Sequence, residues 1–392
     1  MAVFADGKIE AYVGPPGLGA ADDLEAVIVE FIGGARERLD IAVQELDSEV
    51  IARAILAASW RGVRVTLFLE QDYLRSVLKR DSDGVPLLPK PKPGETPEEA
   101  LERVQWLADE TDLAENRRIL GALLRSDVEV RGDFNPKIFH QKFILRDYFD
   151  GKATKPGNPA LLSGSANFTV TDTHVNLNHV FVFHSAYVAR QYELEFLQLR
   201  HGLFGRGLHG DIPATYDVGG IPVKVLFAPD HTPELELMKQ MLKGKNEVLF
   251  AIFTFAGSSG VDDTMLALAR GDMKIRGVLD PTQAAHDWAA PTTLANKKNI
   301  ELFIPRKTGV FKDLRKLHHK LMVIDETIVV AGSFNYTQPA NDFNDENLFV
   351  LGSPFAEVAG VNVDAVKTKE LAAHMKAEIE RIIANSTKYV PS

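Results

Sequence analysis

The chain of 392 residues contains no cysteine. That absence excludes a disulfide scaffold, a thiolate nucleophile and any zinc site built on sulfur, and it fits a reducing compartment. Long apolar runs are missing too: no stretch reaches the roughly 18 residues of a membrane span, so no transmembrane contact is expected. The opening MAVFADGKIEAYVG carries a single lysine, Lys8, and no apolar core of a secretory leader. Together these absences give a cytoplasmic expectation. Positive charge is also short. The formal net charge of -10 argues against sequence-blind coating of nucleic acid, whose affinity comes from lysine and arginine. It leaves room for an enzyme with a local positive channel. Apolar content of 45% and charged content of 25% are those of an ordinary globular chain, long enough for more than one core.

What is present is present twice. His140-Gln-Lys142-Phe-Ile-Leu-Arg-Asp147 is answered by His318-His-Lys320-Leu-Met-Val-Ile-Asp325. Gly164-Ser165-Ala-Asn167 and Gly332-Ser333-Phe-Asn335 follow them. The framework around the motifs repeats as well. Leu39-Asp-Ile-Ala-Val-Gln-Glu-Leu matches Val248-Leu-Phe-Ala-Ile-Phe-Thr-Phe at an offset of 209 residues, and both read as strands. Apolar residues at helical spacing precede each (Leu24, Val27, Ile28, Phe31, Ile32; Leu235, Leu237, Met238, Met241) and follow each (Val50, Ile51, Ala54, Ile55; Met265, Leu266, Leu268). Second strands are expected at Val63–Leu69 and Met273–Leu279, and third strands at Val128–Val130 and Ile300–Ile304. The alternation reads as α/β. Two halves are expected, 1–205 and 206–392, joined by the glycine-rich stretch from Leu203 to Asp211.

The offset falls to 178 residues at the signature histidines, so the first half carries about 30 extra residues, placed near 80–116. The proline-rich Leu88–Gly94 cannot be helix or central strand, while Thr96 caps a helix beginning at Pro97. This insertion is either surface elaboration or a lid. A second, shorter difference is expected between Asp147 and Ser165, where the first half has a longer loop than the second. The tail from Thr368 to Ile383 reads as an amphipathic helix packed on the outside.

One imidazole, one cation, one hydroxyl and one amide per half suit phosphate oxygens, and few carboxylates accompany them to hold a divalent metal. Two such sets would place His140 and His318 on opposite sides of a phosphorus atom. One histidine attacks and the other protonates the leaving oxygen, after which water reverses the exchange. Lys142, Lys320, Asn167 and Asn335 would hold the non-bridging oxygens, with Ser165 and Ser333 binding or supporting. No metal or other cofactor is required. Asp147 and Asp325 either orient a group or form a turn. Gly164 and Gly332 allow close backbone approach.

The two copies of His-x-Lys-x-x-x-x-Asp followed by Gly-Ser-x-Asn resemble the phospholipase D superfamily. The resemblance implies two similar α-β-α sandwich domains related by a pseudo-twofold, a site in the cleft between them, and a phosphohistidine intermediate. It also implies that His140 of the first copy is the nucleophile and His318 the acid, and that one chain suffices for a complete site. The superfamily commonly has a glutamate downstream of each copy. Glu346 lies 13 residues beyond Ser333, whereas the residue 13 beyond Ser165 is Asn178, so the two histidines are expected to be unequal. His174 and His179 lie nearby without an assigned role. The segment from Val329 to Thr337, with Asn344-Asp-Glu-Asn-Leu behind it, looks most like the bacterial nuclease branch. Arg306, Lys307, Lys312, Arg315 and Lys316 read as a positive funnel for a polyanion, and Phe311 and Tyr336 as aromatics that either stack on bases or pack. A DNA or RNA endonuclease, with nucleic acid as its substrate partner and room for a partner protein, is therefore the first expectation. A soluble phospholipase D or small-diester hydrolase is the second, although Leu203-Phe-Gly-Arg-Gly-Leu makes a poor apolar interfacial loop. A non-catalytic nucleic-acid or phosphate-binding module is the third, and it predicts decayed histidines or lysines in at least one copy.

Overall fold

A computed structural model describes residues 2–71, 90–109, 112–149, 159–206, 212–352 and 360–391. The first half contributes eight strands: β1 (Ala2–Phe4), β2 (Ile9–Gly14), β3 (Arg38–Val43), β4 (Arg64–Leu69), β5 (Glu129–Gly132), β6 (Lys142–Arg146), β7 (Ala160–Gly164) and β8 (Asn176–Phe183). They run β1-β2-β8-β7-β6-β3-β4-β5 across one sheet. The second half contributes β9 (Thr215–Val218), β10 (Ile221–Ala228), β11 (Glu247–Ile252), β12 (Lys274–Leu279), β13 (Ile300–Pro305), β14 (Lys316–Leu317), β15 (Lys320–Ile324), β16 (Ile328–Gly332), β17 (Glu346–Leu351) and β18 (Ser386–Lys388). All of these but β14 form one sheet in the order β18-β13-β12-β11-β15-β16-β17-β10-β9. Apart from β18 at its edge, the second sheet repeats the first strand for strand. β3, β4 and β5 pair in parallel, as do β11, β12 and β13, and the remaining neighbours within each sheet are antiparallel.

The expected strand-helix-strand units appear where the apolar spacing puts them. Helix Leu24–Gly33 precedes β3 and Glu49–Trp60 follows it; Pro233–Lys243 and Gly260–Arg270 do the same for β11. Their apolar faces form one core on the outer side of each sheet. A third core fills the space between the sheets. It takes Val188, Tyr192, Phe196 and Leu199 from helix Ala186–Arg200, and Leu371, Met375, Ile379 and Ile382 from helix Ala365–Ala384. The C-terminal helix therefore is not an outer layer. Its apolar stripe enters this shared core because it is the counterpart of Ala186–Arg200, the two following the matching strands β17 and β8.

Two helices, Pro97–Asp109 and Asp112–Leu124, stand in the first half between β4 and β5. Thr96 caps the first as expected: Glu99 N–H donates to Thr96 Oγ1, and Thr96 N–H donates back to the Glu99 carboxylate. The proline-rich start of this insertion, most of the expected long loop after Asp147 and the end of the glycine-rich connection fall outside the described residues.

The halves also exchange backbone. β14 belongs to the second half yet pairs in parallel with β8 of the first. His318 N–H donates to Leu177 O, and His140 N–H donates to Asp345 O. Each signature histidine is thus tied to the opposite half.

Candidate active site

His140 and His318 sit in the lead-in to β6 and β15, and the strands themselves begin at Lys142 and Lys320. Each lead-in bonds to both halves: the histidine N–H donates to the other half, while Gln141 O and His319 O accept from Gln44 N–H and Phe253 N–H of their own, so both imidazoles are delivered to the seam between the halves. All four side chains are buried. Lys142 Nζ donates to His140 O at 3.1 Å and Lys320 Nζ donates to His318 O at 2.8 Å. Beyond that the halves differ. Lys142 also donates to Gln44 Oε1 at 3.2 Å. At the matching position the second half has Phe253, whose ring centre lies 5.1 Å from Lys320 Nζ and 4.9 Å from the His318 ring.

The partners of the histidines cross the seam. His140 Nδ1 lies 2.6 Å from Glu346 Oε2, and His318 Nδ1 lies 3.0 Å from Asn178 Oδ1. Each partner is held by the signature serine of its own half: Ser333 Oγ donates to Glu346 and Ser165 Oγ donates to Asn178, both at 2.7 Å. The serines accept in turn from Asn347 N–H and His179 N–H. They support the residues that aim the imidazoles. This explains the glycines beside them, since a Cβ at Gly164 or Gly332 would collide with the carbonyl oxygen of His179 or Asn347.

Burial dominates the electrostatics. It pushes the Glu346 carboxyl up to about 8 against the pull of Lys142 and Lys320. It pushes His140 well down, with both lysines acting in the same direction. Burial thus inverts the usual order of the two proton affinities across a 2.6 Å contact, and the pair titrates as a unit. With Glu346 ionised, Nδ1–H donates to it and Nε2 is left with a free lone pair. Burial also lowers the Lys142 ammonium to about 8 and pushes that of Lys320 well down. A phosphodiester anion between two such ammonium groups would offset the cost of holding both.

Asn167 and Asn335 follow β7 and β16. Asn335 Oδ1 accepts from Thr254 N–H at 3.3 Å, whereas the buried Asn167 Oδ1 has no hydrogen-bond partner among the described residues. Asp147 and Asp325 are elsewhere. Each stands at the far end of its strand, and its carboxylate accepts from three successive backbone N–H groups: Arg36, Glu37 and Arg38 in one half, Lys245, Asn246 and Glu247 in the other. Of their two expected roles the structure takes the turn, and the aspartates do not join the histidines. Their counterpart positions in sequence gave no signal of this, because a strand end can face either way.

The expected positive funnel divides. Arg315 and Lys316 are exposed on the segment paired with β8, beside His318. Arg306 donates to the backbone at the end of the C-terminal helix, and Lys312 lies 3.8 Å from Asp313, while Lys307 is exposed next to Arg306. Phe311 and Tyr336 are buried and pack, Phe311 beneath Arg381 and Tyr336 against Phe255; neither is placed to stack on a base. His174 lies at a helix end. His179 is buried, its Nδ1 3.1 Å from that of His319. The matching contact across the pseudo-twofold joins Asn347 Nδ2 to Gln141 Oε1 at 2.9 Å.

Sequence reading missed two features. Asp172, on the short helix Val170–His174, is buried with its Oδ2 3.6 Å from His318 Nδ1. An exposed apolar rim also flanks the segment leading into His140 and the segment paired with it. Phe134, Ile138 and Phe343 are 78%, 43% and 45% exposed. Phe204 packs edge-on to Phe134, and Lys137 lies over the Phe343 ring. Dispersed among three stretches of chain, these residues form no run that a sequence window would detect.

Among the described residues no group of three or more histidines, aspartates or glutamates is placed to hold a metal ion, and no helix is long and apolar enough to cross a membrane.

Comparison with known proteins agrees with this architecture. Residues 28–200 and 237–383 match the family model for the cardiolipin synthase, PLD-like domain. A mitochondrial cardiolipin hydrolase of Xenopus laevis is 27% identical over 132 residues, which are 33% of this chain and 59% of that protein. A phospholipase D of Rickettsia bellii is 31% identical over 97 residues, 24% of this chain and 45% of that protein. The chain therefore spans only about half the length of these relatives. The phosphatidylserine synthase of Haemophilus influenzae superposes over 99% of this chain and 89% of its own, with a TM-score of 0.58 and 12% identity, so the two share a fold. With both halves matched, the chain belongs to the family of the cardiolipin synthase, PLD-like domain, within the phospholipase D superfamily.

Proposed function

We propose that the chain hydrolyses a phospholipid diester at a lipid surface, through a phosphohistidine on His140. His140 Nε2 attacks phosphorus while the bond to the leaving oxygen breaks, and His318 gives that oxygen a proton. Water then attacks from the vacated side and passes its proton to His318. The phosphorus–nitrogen bond breaks and its electron pair returns to Nε2. Lys142, Lys320, Asn167 and Asn335 hold the charge that grows on the non-bridging oxygens. The crossed contacts support these roles: His140, paired with a carboxylate, keeps Nε2 free to attack.

The observation that carries the choice of substrate is the rim. Exposed phenylalanines and an isoleucine beside His140, with Arg315 and Lys316 on the His318 side, match an acyl surface bearing anionic headgroups. Phospholipase D and cardiolipin hydrolase among the relatives point the same way. A nuclease is the second reading, favoured by the same two basic residues. Both catalytic sets being intact speaks against the binding-only reading.

The deciding experiment offers purified protein, in excess EDTA, vesicles containing cardiolipin or phosphatidylglycerol and, separately, circular single-stranded DNA. Headgroup release that disappears in His140→Ala and His318→Ala is expected. Cutting of DNA without lipid turnover would transfer the assignment to the nuclease reading, and loss of either activity in EDTA would refute the metal-free route.

A further inference from the structure

The two halves trade the position of their carboxylate. In the second half Glu346 stands on β17, and Ala340 stands on the short helix Gln338–Asp342. In the first half the strand position holds Asn178 and the helix position holds Asp172. The helix caps fix the correspondence: Asp172 N–H donates to Thr169 Oγ1, and Ala340 N–H donates to Thr337 Oγ1. A third matched pair follows the carboxylates. Asn344 Nδ2 donates to Glu346 Oε1, while Asn176 Nδ2 donates to Asp172 Oδ1. At these two positions each half thus keeps one buried carboxylate and one asparagine that holds it, and each carboxylate faces the other half's histidine.

We propose that Asp172 is the charge partner of His318, a positioning residue that takes over from the carboxylate missing at Asn178. The work that Glu346 does alone for His140 is divided here. Asn178 Oδ1, 3.0 Å from Nδ1, aims the ring. Asp172, 3.6 Å from the same atom, supplies the negative charge that a neutral amide lacks. That charge matters because the other groups around His318 oppose its protonation: Lys320, Lys142, His140 and Lys316 all lower it, and burial lowers it most. A histidine that must carry a proton to a leaving oxygen needs an opposing anion. Asp172 is fixed for the task, since Asn167 N–H donates to its Oδ2 at 2.6 Å. That bond also gives Asp172 a purely structural alternative, so the test must separate packing from charge.

The inference rests on the two-histidine reading, but its primary test requires no turnover. The titration of His318 is followed by NMR of the full chain carrying ¹⁵N-labelled histidine, its signal identified by its loss in His318→Gln. In Asp172→Asn the midpoint is expected to fall by about one pH unit or more, with a smaller fall at His140. The double variant D172A/N178E rebuilds the arrangement of the second half, and it is expected to bring the midpoint back to the wild-type value or above. An unmoved midpoint in Asp172→Asn overturns the proposal, as does a larger shift at His140 than at His318. A folded double variant that leaves His318 depressed overturns it too. Failure of both variants to fold would assign Asp172 to packing and likewise refute the role. With a diester that the chain turns over, Asp172→Asn should slow release of an alkyl alcohol more than release of p-nitrophenolate, which needs no proton. Equal slowing would count against it.

Discussion

Replacing Glu346 with glutamine isolates the contact that distinguishes the two histidines. The side chain keeps its length and can still accept from Ser333, but the charge that the ionised carboxylate places 2.6 Å from His140 Nδ1 once pH exceeds about 8 is gone. A hydrogen bond to a charged group contributes about 1.5–3 kcal/mol, against about 1 for a neutral one. Losing about 1–2 kcal/mol of that from the attacking state lowers kcat about 5–30-fold. If the amide turns its NH2 toward Nδ1, the wrong tautomer is held and the loss is larger. Stability should move the opposite way. Burial raises the folded carboxyl to about 8 from its ordinary 4.5. Between those pH values the folded state binds more protons than the unfolded one, so Glu346 costs the wild type stability as pH rises through that window. Glutamine removes that dependence. Glu346→Gln should therefore match or exceed the wild-type Tm at pH 8, with kcat reduced and KM nearly unchanged. Rapid-quench measurement of phosphoenzyme formation, beside thermal unfolding at pH 5 and pH 8, reads both effects. A variant within threefold of wild type in kcat would refute the assignment of His140 as the carboxylate-activated nucleophile. A Tm that falls at pH 8 would refute the sign of the burial argument.

Three further outcomes are expected. Lys142 holds its proton below about 8, so kcat/KM should fall as pH rises past that value, and the limb should lie higher in kcat because a bound phosphodiester favours the ammonium; a profile flat to pH 10 would contradict the role. Asp147→Ala should cost about 2–4 kcal/mol in denaturant unfolding, because it strands three backbone donors, and Asp325→Ala less, since two of its donors are exposed. Gly164→Ala and Gly332→Ala should each lower Tm, because the added methyl collides with a strand carbonyl of the same sheet; an unchanged Tm in either would show that the sheet relaxes without strain.

The local content of the fold was legible in the sequence because it is encoded by local spacing. The duplicated strands and helices follow apolar periodicities of two and 3.6 residues, and Thr96 marks its helix through the short-range geometry of a cap. The paired histidines, lysines, serines and asparagines could be found because duplication repeats them at fixed intervals. The inequality of the histidines was legible as well, in the contrast of Glu346 with Asn178. Other features depend on how the two halves meet. Sequence spacing does not say that Glu346 serves the histidine of the opposite half, since nothing local links residues 206 positions apart. Nor does it place Asp172 beside His318, bury Phe311 and Tyr336, separate Arg306 from Lys316, or gather Phe134, Ile138 and Phe343 into one rim. The same limit hid the destination of the C-terminal helix, whose amphipathic pattern specifies that one face is covered but not by what. Periodicity and repetition determined the elements and the chemical groups. The seam between the halves decided which group acts on which, because burial and charge act between neighbours in space, whatever their separation along the chain.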